Sequence, residues 1–247
     1  MRYFIGNWKM FGVPKSINIL KKINLFYSKD RNRKNYRVIV TPPYTLLQSY
    51  SKYFKNKKIF IGSQNCFYKD KYSSNTGAVS PYMLKSVGAK YTLIGHSDNR
   101  KEGDTDKMLK DKVLLALKNN LNIVFCIGEN KSDKNKNKTF SVLKKQILKV
   151  ITKKLKRNNI IIAYEPIWSI GTGKVPTKEE LTLTISFIKK ILNKIFRNGT
   201  PPVLYGGSVD NNSINYLRSI KEIDGFLIGG ASKSSKKFID IIKNYYK

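Results

Sequence analysis

Eight short apolar segments recur along the chain, and a longer amphipathic segment follows each of them. Each apolar segment is continuous, as expected for a strand that is buried on both faces of a parallel sheet. They begin near Tyr3, Arg37, Lys58, Tyr91, Asn122, Ile160, Val203 and Phe226. Eight strand–helix units in succession predict a closed (β/α)8 barrel, with an open doubly wound sheet as the alternative.

The segments between these runs carry helical signals. Apolar residues recur at helical spacing from Leu181 to Leu192, and Thr177 and Glu180 form a capping-box pattern just before them. Ser80-Pro81 has the N-cap and first-residue pattern of another helix. The 247 residues match the roughly 250 of a single barrel, and no linker divides them, so we expect one domain over residues 1–247.

The net charge of +32 comes from 48 Lys and Arg against 16 Asp and Glu. Such an excess ordinarily indicates a nucleic-acid or anionic-membrane partner. Here the lysines are scattered along the whole chain together with many Asn, Ile, Tyr and Phe residues, a composition typical of an AT-rich genome. We therefore predict at most non-specific binding to polyanions. A polyanion-binding protein on a former enzyme barrel remains an alternative function.

The sequence also bears on location and cofactors. No signal-peptide pattern and no apolar run near the ~20 residues of a membrane span is present. Cys66 and Cys126 have neither metal-ligand spacing nor a disulfide pattern, so we expect reduced, buried thiols. These features predict a cytoplasmic protein with no membrane segment, no metal and no cofactor.

Three polar residues follow predicted strands, where α/β barrels place their chemistry. Lys9 follows the first strand, His96 (the only histidine) the fourth, and Glu165 the sixth. Each has a structural alternative: a solvated lysine, a structural histidine or a salt-bridged glutamate. Together they could supply a cation, an electrophile and a general base.

Three glycine clusters follow the last three strands, namely 171–173, 206–207 and 229–230. Glycines allow backbone N–H groups to approach an anion closely, and barrels often bind phosphate with these loops. No dinucleotide fingerprint follows a strand. The whole pattern favours proton abstraction next to a carbonyl on a small phosphorylated substrate.

At these positions the chain resembles the triosephosphate isomerases from end to end. The matching stretches are Gly6-Asn7-Trp8-Lys9-Met10, Gln64-Asn65-Cys66, Ile94-Gly95-His96-Ser97, Cys126-Ile127-Gly128-Glu129, Ala163-Tyr164-Glu165-Pro166-Ile167-Trp168, Ile170-Gly171-Thr172-Gly173-Lys174, Tyr205-Gly206-Gly207-Ser208-Val209 and Gly229-Gly230-Ala231-Ser232. The resemblance implies a single TIM barrel that interconverts dihydroxyacetone phosphate and D-glyceraldehyde 3-phosphate in glycolysis and gluconeogenesis. Another phosphosugar isomerase is an alternative that the full-length match disfavours.

The family is itself a standard example of a glutamate base beside a neutral histidine. The resemblance therefore implies that Glu165 moves the proton, His96 polarises the carbonyl, and Lys9, positioned with Asn7, stabilises the oxyanion. The phosphate would bind at Gly171, Ser208, Gly229 and Gly230. Residues 166–176 would form a lid, and the supporting residues would be Ser97, Asp98, Glu129, Trp168 and Tyr205.

The resemblance also implies a homodimer in which the loop around Thr76 inserts into the partner. Two departures from the family lie nearby: Ala78 replaces a glutamate, and Asp98-Asn99-Arg100 replaces Glu-Arg-Arg. That glutamate and the arginine at position 99 tend to pair in the family, so both partners of one ion pair are absent. Losing both costs less than leaving one charge unpaired, and we still expect a dimer.

A third departure lies at the end of the lid. The family usually has an alanine there, whose backbone N–H bonds the hydroxyl of the tyrosine that matches Tyr205. This chain has Pro176, which has no N–H. We therefore expect the Tyr205 hydroxyl to have no partner, and Tyr205→Phe to be nearly silent.

Overall fold

The computed structural model describes residues 1–247, in which eight parallel strands close into a barrel in sequence order. The strands are β1 (Arg2–Asn7), β2 (Tyr36–Thr41), β3 (Phe60–Ser63), β4 (Tyr91–Ile94), β5 (Asn122–Ile127), β6 (Ile160–Tyr164), β7 (Val203–Tyr205) and β8 (Gly225–Ile228). β8 pairs with β1, from Tyr3 opposite Gly225 to Gly6 opposite Ile228. This pairing confirms the predicted barrel and rules out the open sheet.

Ten α-helices lie in the connections between strands and after the last one. They are α1 (Ile17–Lys29), α2 (Tyr44–Phe54), α3 (Pro81–Ser86), α4 (Ser97–Lys101), α5 (Asp106–Lys118), α6 (Lys131–Asn135), α7 (Thr139–Val150), α8 (Lys178–Phe196), α9 (Ser213–Leu217) and α10 (Ser235–Tyr245). Short 3₁₀ turns lie at Pro14–Ser16, Arg157–Asn159, Ile167–Ser169 and Gly230–Lys233. No helix is long and apolar enough to cross a membrane.

The core has two layers because successive strand residues point to opposite faces of the sheet. Ile5 belongs to a cluster of 10 buried residues inside the barrel, whereas its neighbour Phe4 belongs to a cluster of 50 between barrel and helices. Burying one such side chain contributes about 1.5–3 kcal/mol. The two layers make the barrel a fixed frame for the loops at the ends of its strands.

Both predicted helix starts are confirmed. Thr177 Oγ1 accepts the Glu180 N–H at 3.2 Å, and Glu180 Oε2 accepts the Thr177 N–H at 2.8 Å. Ser80 caps α3 through the Met83 N–H at 3.2 Å, with Pro81 as the first helical residue. α8 thus begins at Lys178, two residues after Pro176, the last residue of the predicted lid.

Candidate active site

One cavity of about 430 Å³ lies at the C-terminal end of the barrel. Every predicted catalytic and phosphate-binding residue lines it: Asn7, Lys9, His96, Glu165, Gly171, Ser208, Gly229 and Gly230. The predicted supporting residues Ser97, Asp98, Glu129, Trp168 and Tyr205 lie outside this lining. Ser97 is buried at the start of α4. The other four supporting residues form hydrogen bonds with residues that line the cavity or with residues of the predicted lid.

Glu165 follows β6 and is only 4% exposed. Its backbone N–H donates to Ile127 O at 2.8 Å, and its Oε2 has no hydrogen-bond partner within the chain. Two glycines provide the space that it occupies. A Cβ at Gly128 would lie 1.8 Å from Glu165 O, and a Cβ at Gly206 would lie 2.6 Å from Glu165 Cγ. The side chain is therefore closely packed, and one carboxylate oxygen is free to take a proton.

His96 lies at the N-cap of α4 and is 4% exposed. Its Nδ1 accepts the backbone N–H of Asp98 at 3.1 Å. The Asp98 carboxylate lies farther from Nδ1, at 3.4 Å, and is bonded by Lys9. We therefore assign the proton of the neutral imidazole to Nε2. Nε2 lies 3.5 Å from Glu165 Oε1 and has no hydrogen-bond partner within the chain, so its N–H is available to a substrate oxygen.

Lys9 sits in a backbone turn just after β1, with a positive φ of 54°. Asn7 Oδ1 accepts its N–H at 3.0 Å, and Gln64 Nε2 donates to its carbonyl at 2.8 Å. Its Nζ donates to Asp98 Oδ2 at 3.0 Å. Partial burial raises the pKa of Asp98, but the hydrogen bond from Lys9 and nearby positive charge outweigh it, so this pKa lies below its ordinary value. Asp98 therefore stays ionised, and although the family has the longer glutamate here, it still reaches Lys9.

Glycines after β6 and β8 line one side of the cavity. A Cβ at Gly171, Gly229 or Gly230 would meet no atom within 4 Å, so these backbones border open space. Ser232 fixes the loop after β8, because its N–H and its hydroxyl both donate to Gly229 O, at 2.9 and 2.6 Å. The exposed backbone suits a phosphate group.

The predicted lid, residues 166–176, lies against the loop after β7. Gly173 N–H donates to Ser208 Oγ at 3.0 Å, and Ser208 Oγ donates to Ser169 O at 2.7 Å. We call this arrangement the closed lid. Trp168 Nε1 donates a hydrogen bond to Glu129 Oε1 at 2.8 Å. Burial raises the pKa of Glu129, and the bond from Trp168 partly offsets this.

The structure contradicts the expectation that the Tyr205 hydroxyl has no partner. Tyr205 is fully buried, and its hydroxyl lies 3.0 Å from Ser169 Oγ. Pro176 does lack the backbone donor, but the Ser169 side chain near the start of the predicted lid lies within hydrogen-bond distance of the Tyr205 hydroxyl. The expected silence of Tyr205→Phe therefore loses its physical basis.

Ser169 was not predicted from the sequence. Gly206 and Gly207 line the cavity together with the predicted phosphate-binding residues. Gly206 also makes room for Glu165, since a Cβ there would lie 2.6 Å from Glu165 Cγ. A Cβ at Gly207 would lie 2.2 Å from the Tyr205 hydroxyl and 2.5 Å from Ser169 Oγ. A single serine within Trp168-Ser169-Ile170 has no distinguishing pattern. The one sequence signal is Pro176, whose missing N–H leaves the Tyr205 hydroxyl in need of another hydrogen-bond partner.

Comparison with known proteins places this site in a family. The sequence model described as "Triosephosphate isomerase" matches residues 2–245. Triosephosphate isomerase of Geotalea uraniireducens (strain Rf4) is 36% identical over 245 residues, covering 96% of both chains. That of Thermoanaerobacter sp. (strain X514) is 37% identical over 247 residues, covering 97% of both. The crystal structure of triosephosphate isomerase from Bartonella henselae superposes with a TM-score of 0.91 at 32% identity, covering 100% of this chain and 99% of that one.

The fold and these relationships define the protein as a barrel isomerase. The chain belongs to the triosephosphate isomerase family.

Proposed function

We propose that this chain interconverts dihydroxyacetone phosphate and D-glyceraldehyde 3-phosphate through an enediolate, as a step of glycolysis and gluconeogenesis. One observation carries the proposal. The buried Glu165 carboxylate and the His96 Nε2–H lie 3.5 Å apart beside a glycine-lined anion site, and each has an atom free for substrate.

Glu165 acts as the base. It takes a proton from C1 of dihydroxyacetone phosphate, and the electron pair of the broken C–H bond moves towards the carbonyl carbon to give the enediolate. The same carboxyl group returns the proton to C2. The backbone N–H of Glu165 is bonded to Ile127 O directly after β6, which fixes the main chain that carries the carboxylate. The reacting atoms therefore stay within a short distance through both steps.

His96 and Lys9 act on the oxygens. The Nε2–H of His96 donates to the carbonyl oxygen, which gains negative charge as the enediolate forms, and then passes a proton between the two oxygens. Lys9 supplies positive charge, and Asn7 holds the Lys9 backbone at 3.0 Å. Fixed donors aimed at a developing charge in a water-poor site are worth several kcal/mol.

The phosphate group binds at Gly171, Ser208, Gly229 and Gly230, and the lid closes over it. Closure keeps water from the enediolate, which would otherwise lose its phosphate. Glu129 accepts the Trp168 N–H and so fixes the start of the closed lid. Ser97 and Asp98 support His96 from α4.

A coupled assay tests this function directly. The purified chain is given dihydroxyacetone phosphate, and the glyceraldehyde 3-phosphate formed is oxidised by an NAD-linked dehydrogenase. Glu165→Gln should lower kcat by about 10²–10⁴-fold, the range of general-base contributions. Glu222→Gln, a half-buried glutamate outside the cavity, is the matched control. An inactive parent chain, or a fully active Glu165→Gln, would contradict the proposal. Activity confined to another phosphosugar would favour the alternative isomerase.

We also propose that the protein is a cytoplasmic homodimer. The loop around Thr76 is exposed, and Met10 and Tyr72 are apolar side chains that are 99% and 78% exposed. A hollow of about 280 Å³ lined by Gly77, Ala78 and Asn99 among others lies next to this loop. Sedimentation equilibrium should give twice the chain mass. A monomer at micromolar concentration that retains full activity would contradict the dimer, and a fusion to a fluorescent protein would test the location.

A further inference from the structure

The side chain of Ser169 has no part in the chemistry described above, yet it is fully buried at the first turn of the lid. Its Oγ lies 2.5 Å from Lys174 O, 3.0 Å from the Tyr205 hydroxyl and 3.4 Å from Ser208 N. It is therefore the meeting point of both halves of the lid and the loop after β7.

The direction of each hydrogen bond follows from the chemistry of the groups. The Lys174 carbonyl can only accept, so Ser169 gives it the one hydroxyl hydrogen that it has. Burial raises the pKa of Tyr205 to about 12, so its hydroxyl stays protonated at neutral pH and can donate to Ser169 Oγ. The Ser208 N–H donates to the same oxygen. One hydrogen is given and two are received, which uses the full capacity of the hydroxyl.

Three further features indicate that the local sequence accommodates this arrangement. Pro176 has no N–H, so the usual backbone donor for Tyr205 at the end of the lid is absent. Gly207 has no side chain, and any Cβ there would overlap the Tyr205 and Ser169 oxygens. Tyr205 ends β7 and belongs to the rigid barrel. The hydrogen bonds from Tyr205 through Ser169 to Lys174 thus connect the barrel to the lid.

We propose that Ser169 is a positioning residue that holds the lid closed over the substrate through Tyr205, in place of the backbone N–H that Pro176 removes. Ser169 touches no reacting atom. It acts through the lid that covers the phosphate and the enediolate, and this inference rests on the proposed function.

The test compares Ser169→Ala, Tyr205→Phe and the double variant. Tyr205→Phe removes one hydrogen bond and should lower kcat/KM by about five- to ten-fold. Ser169→Ala removes that bond together with those to Lys174 O and Ser208 N–H, so its loss should be at least as large. The double variant should lose little more than Ser169→Ala alone, because the bond that Tyr205→Phe removes is already absent there. Inorganic phosphate released per isomerisation should rise in all three, because a lid that opens too often exposes the enediolate to loss of phosphate. A general loss of stability would not change this ratio.

Two controls and one rescue make the result specific. Tyr27→Phe removes another buried tyrosine hydroxyl, which donates to Tyr36 O at 2.8 Å far along the chain from the lid. Ser51→Ala removes a buried serine hydroxyl that has no partner. Both should leave kcat/KM and phosphate release unchanged. Pro176→Ala in the Ser169→Ala background restores an N–H, so kcat/KM should recover and again depend on the Tyr205 hydroxyl.

Activity within two-fold of the parent in both Ser169→Ala and Tyr205→Phe would overturn the inference, as would losses that simply add in the double variant. Tyr205→Phe keeps the buried ring, so the question stays answerable even if Ser169→Ala folds poorly. Failure of the proposed function would look different, since the parent chain itself would then not isomerise triose phosphate.

Discussion

The neighbours of Glu165 limit where its carboxylate can lie, so the dependence of activity on that position can be tested. Gly206 lies against Cγ of the side chain, and Gly128 lies against its backbone carbonyl. Glu165→Asp withdraws the carboxylate by one C–C bond without adding volume, and a misplacement near 1 Å can cost ~100-fold. We expect kcat to fall about that much while KM and melting temperature stay near parental values in steady-state kinetics and thermal unfolding. Glu222→Asp is the control, and near-normal turnover in Glu165→Asp would remove Glu165 as the base.

The sequence predicted the positions of some site residues but not all of their hydrogen-bond partners. Lys9, His96 and Glu165 were predictable because each follows a buried strand, and parallel strands in a closed barrel end on the same side. Tyr205 was assigned to the lid, but its partner was not found. Hydrogen bonds between a strand end and a lid residue 36 positions away depend on three-dimensional contact, which local sequence patterns do not encode.

At the scale of elements, α8 follows the lid in the chain, and the contribution of its N-cap residue can be tested. Thr177 accepts the Glu180 N–H and donates its own N–H to Glu180 Oε2. Thr177→Ala removes the hydroxyl of this capping box and should lower the free energy of unfolding by about 1 kcal/mol. For a chain of this size, that change lowers the melting temperature by about 2–4 °C. Ser186→Ala, exposed in the middle of the same helix, should be neutral or slightly stabilising. Equal effects of the two changes in urea unfolding would show that the cap contributes nothing.

The strands and long helices were predictable because burial imposes a period on the sequence. Predicted strand starts fall within about two residues of the observed ones, the largest shift being Lys58 against Phe60 in β3. Short helices such as α4 and α6 were not predicted. Five residues do not complete two helical turns, so no apolar period can be read from them.

At the scale of the whole molecule, the alkylation rates of the two cysteine thiols measure how well the folded protein excludes solvent from its core. Cys66 and Cys126 are buried and unpaired. Burial raises the pKa of Cys66 to about 12, and burial together with the charge of Glu165 holds the pKa of Cys126 well above its ordinary value. Since only the thiolate reacts, alkylation by iodoacetamide at pH 8 should be slow for both thiols in the native protein and fast in 6 M guanidinium. Mass spectrometry of timed samples checks this, and rapid native labelling of either cysteine would contradict the buried placement.

The charge of +32 is a property of the whole surface, and its consequence can be measured independently of catalysis. The 48 basic residues are spread along the entire chain, and no single segment concentrates them, so we expect contacts to a polyanion from many scattered side chains. Contacts of this kind release counterions from a polyanion, so binding should weaken steeply as salt rises and should not depend on sequence. In fluorescence anisotropy, we expect the protein to bind heparin and unrelated RNA sequences equally weakly at 50 mM salt. This binding should nearly disappear at 200 mM salt.

Neutral dextran of similar length serves as the control and should not bind. Binding that survives 200 mM salt, or that separates one RNA sequence from another, would mean that part of the basic surface is a specific site, and the compositional explanation of the charge would then fail.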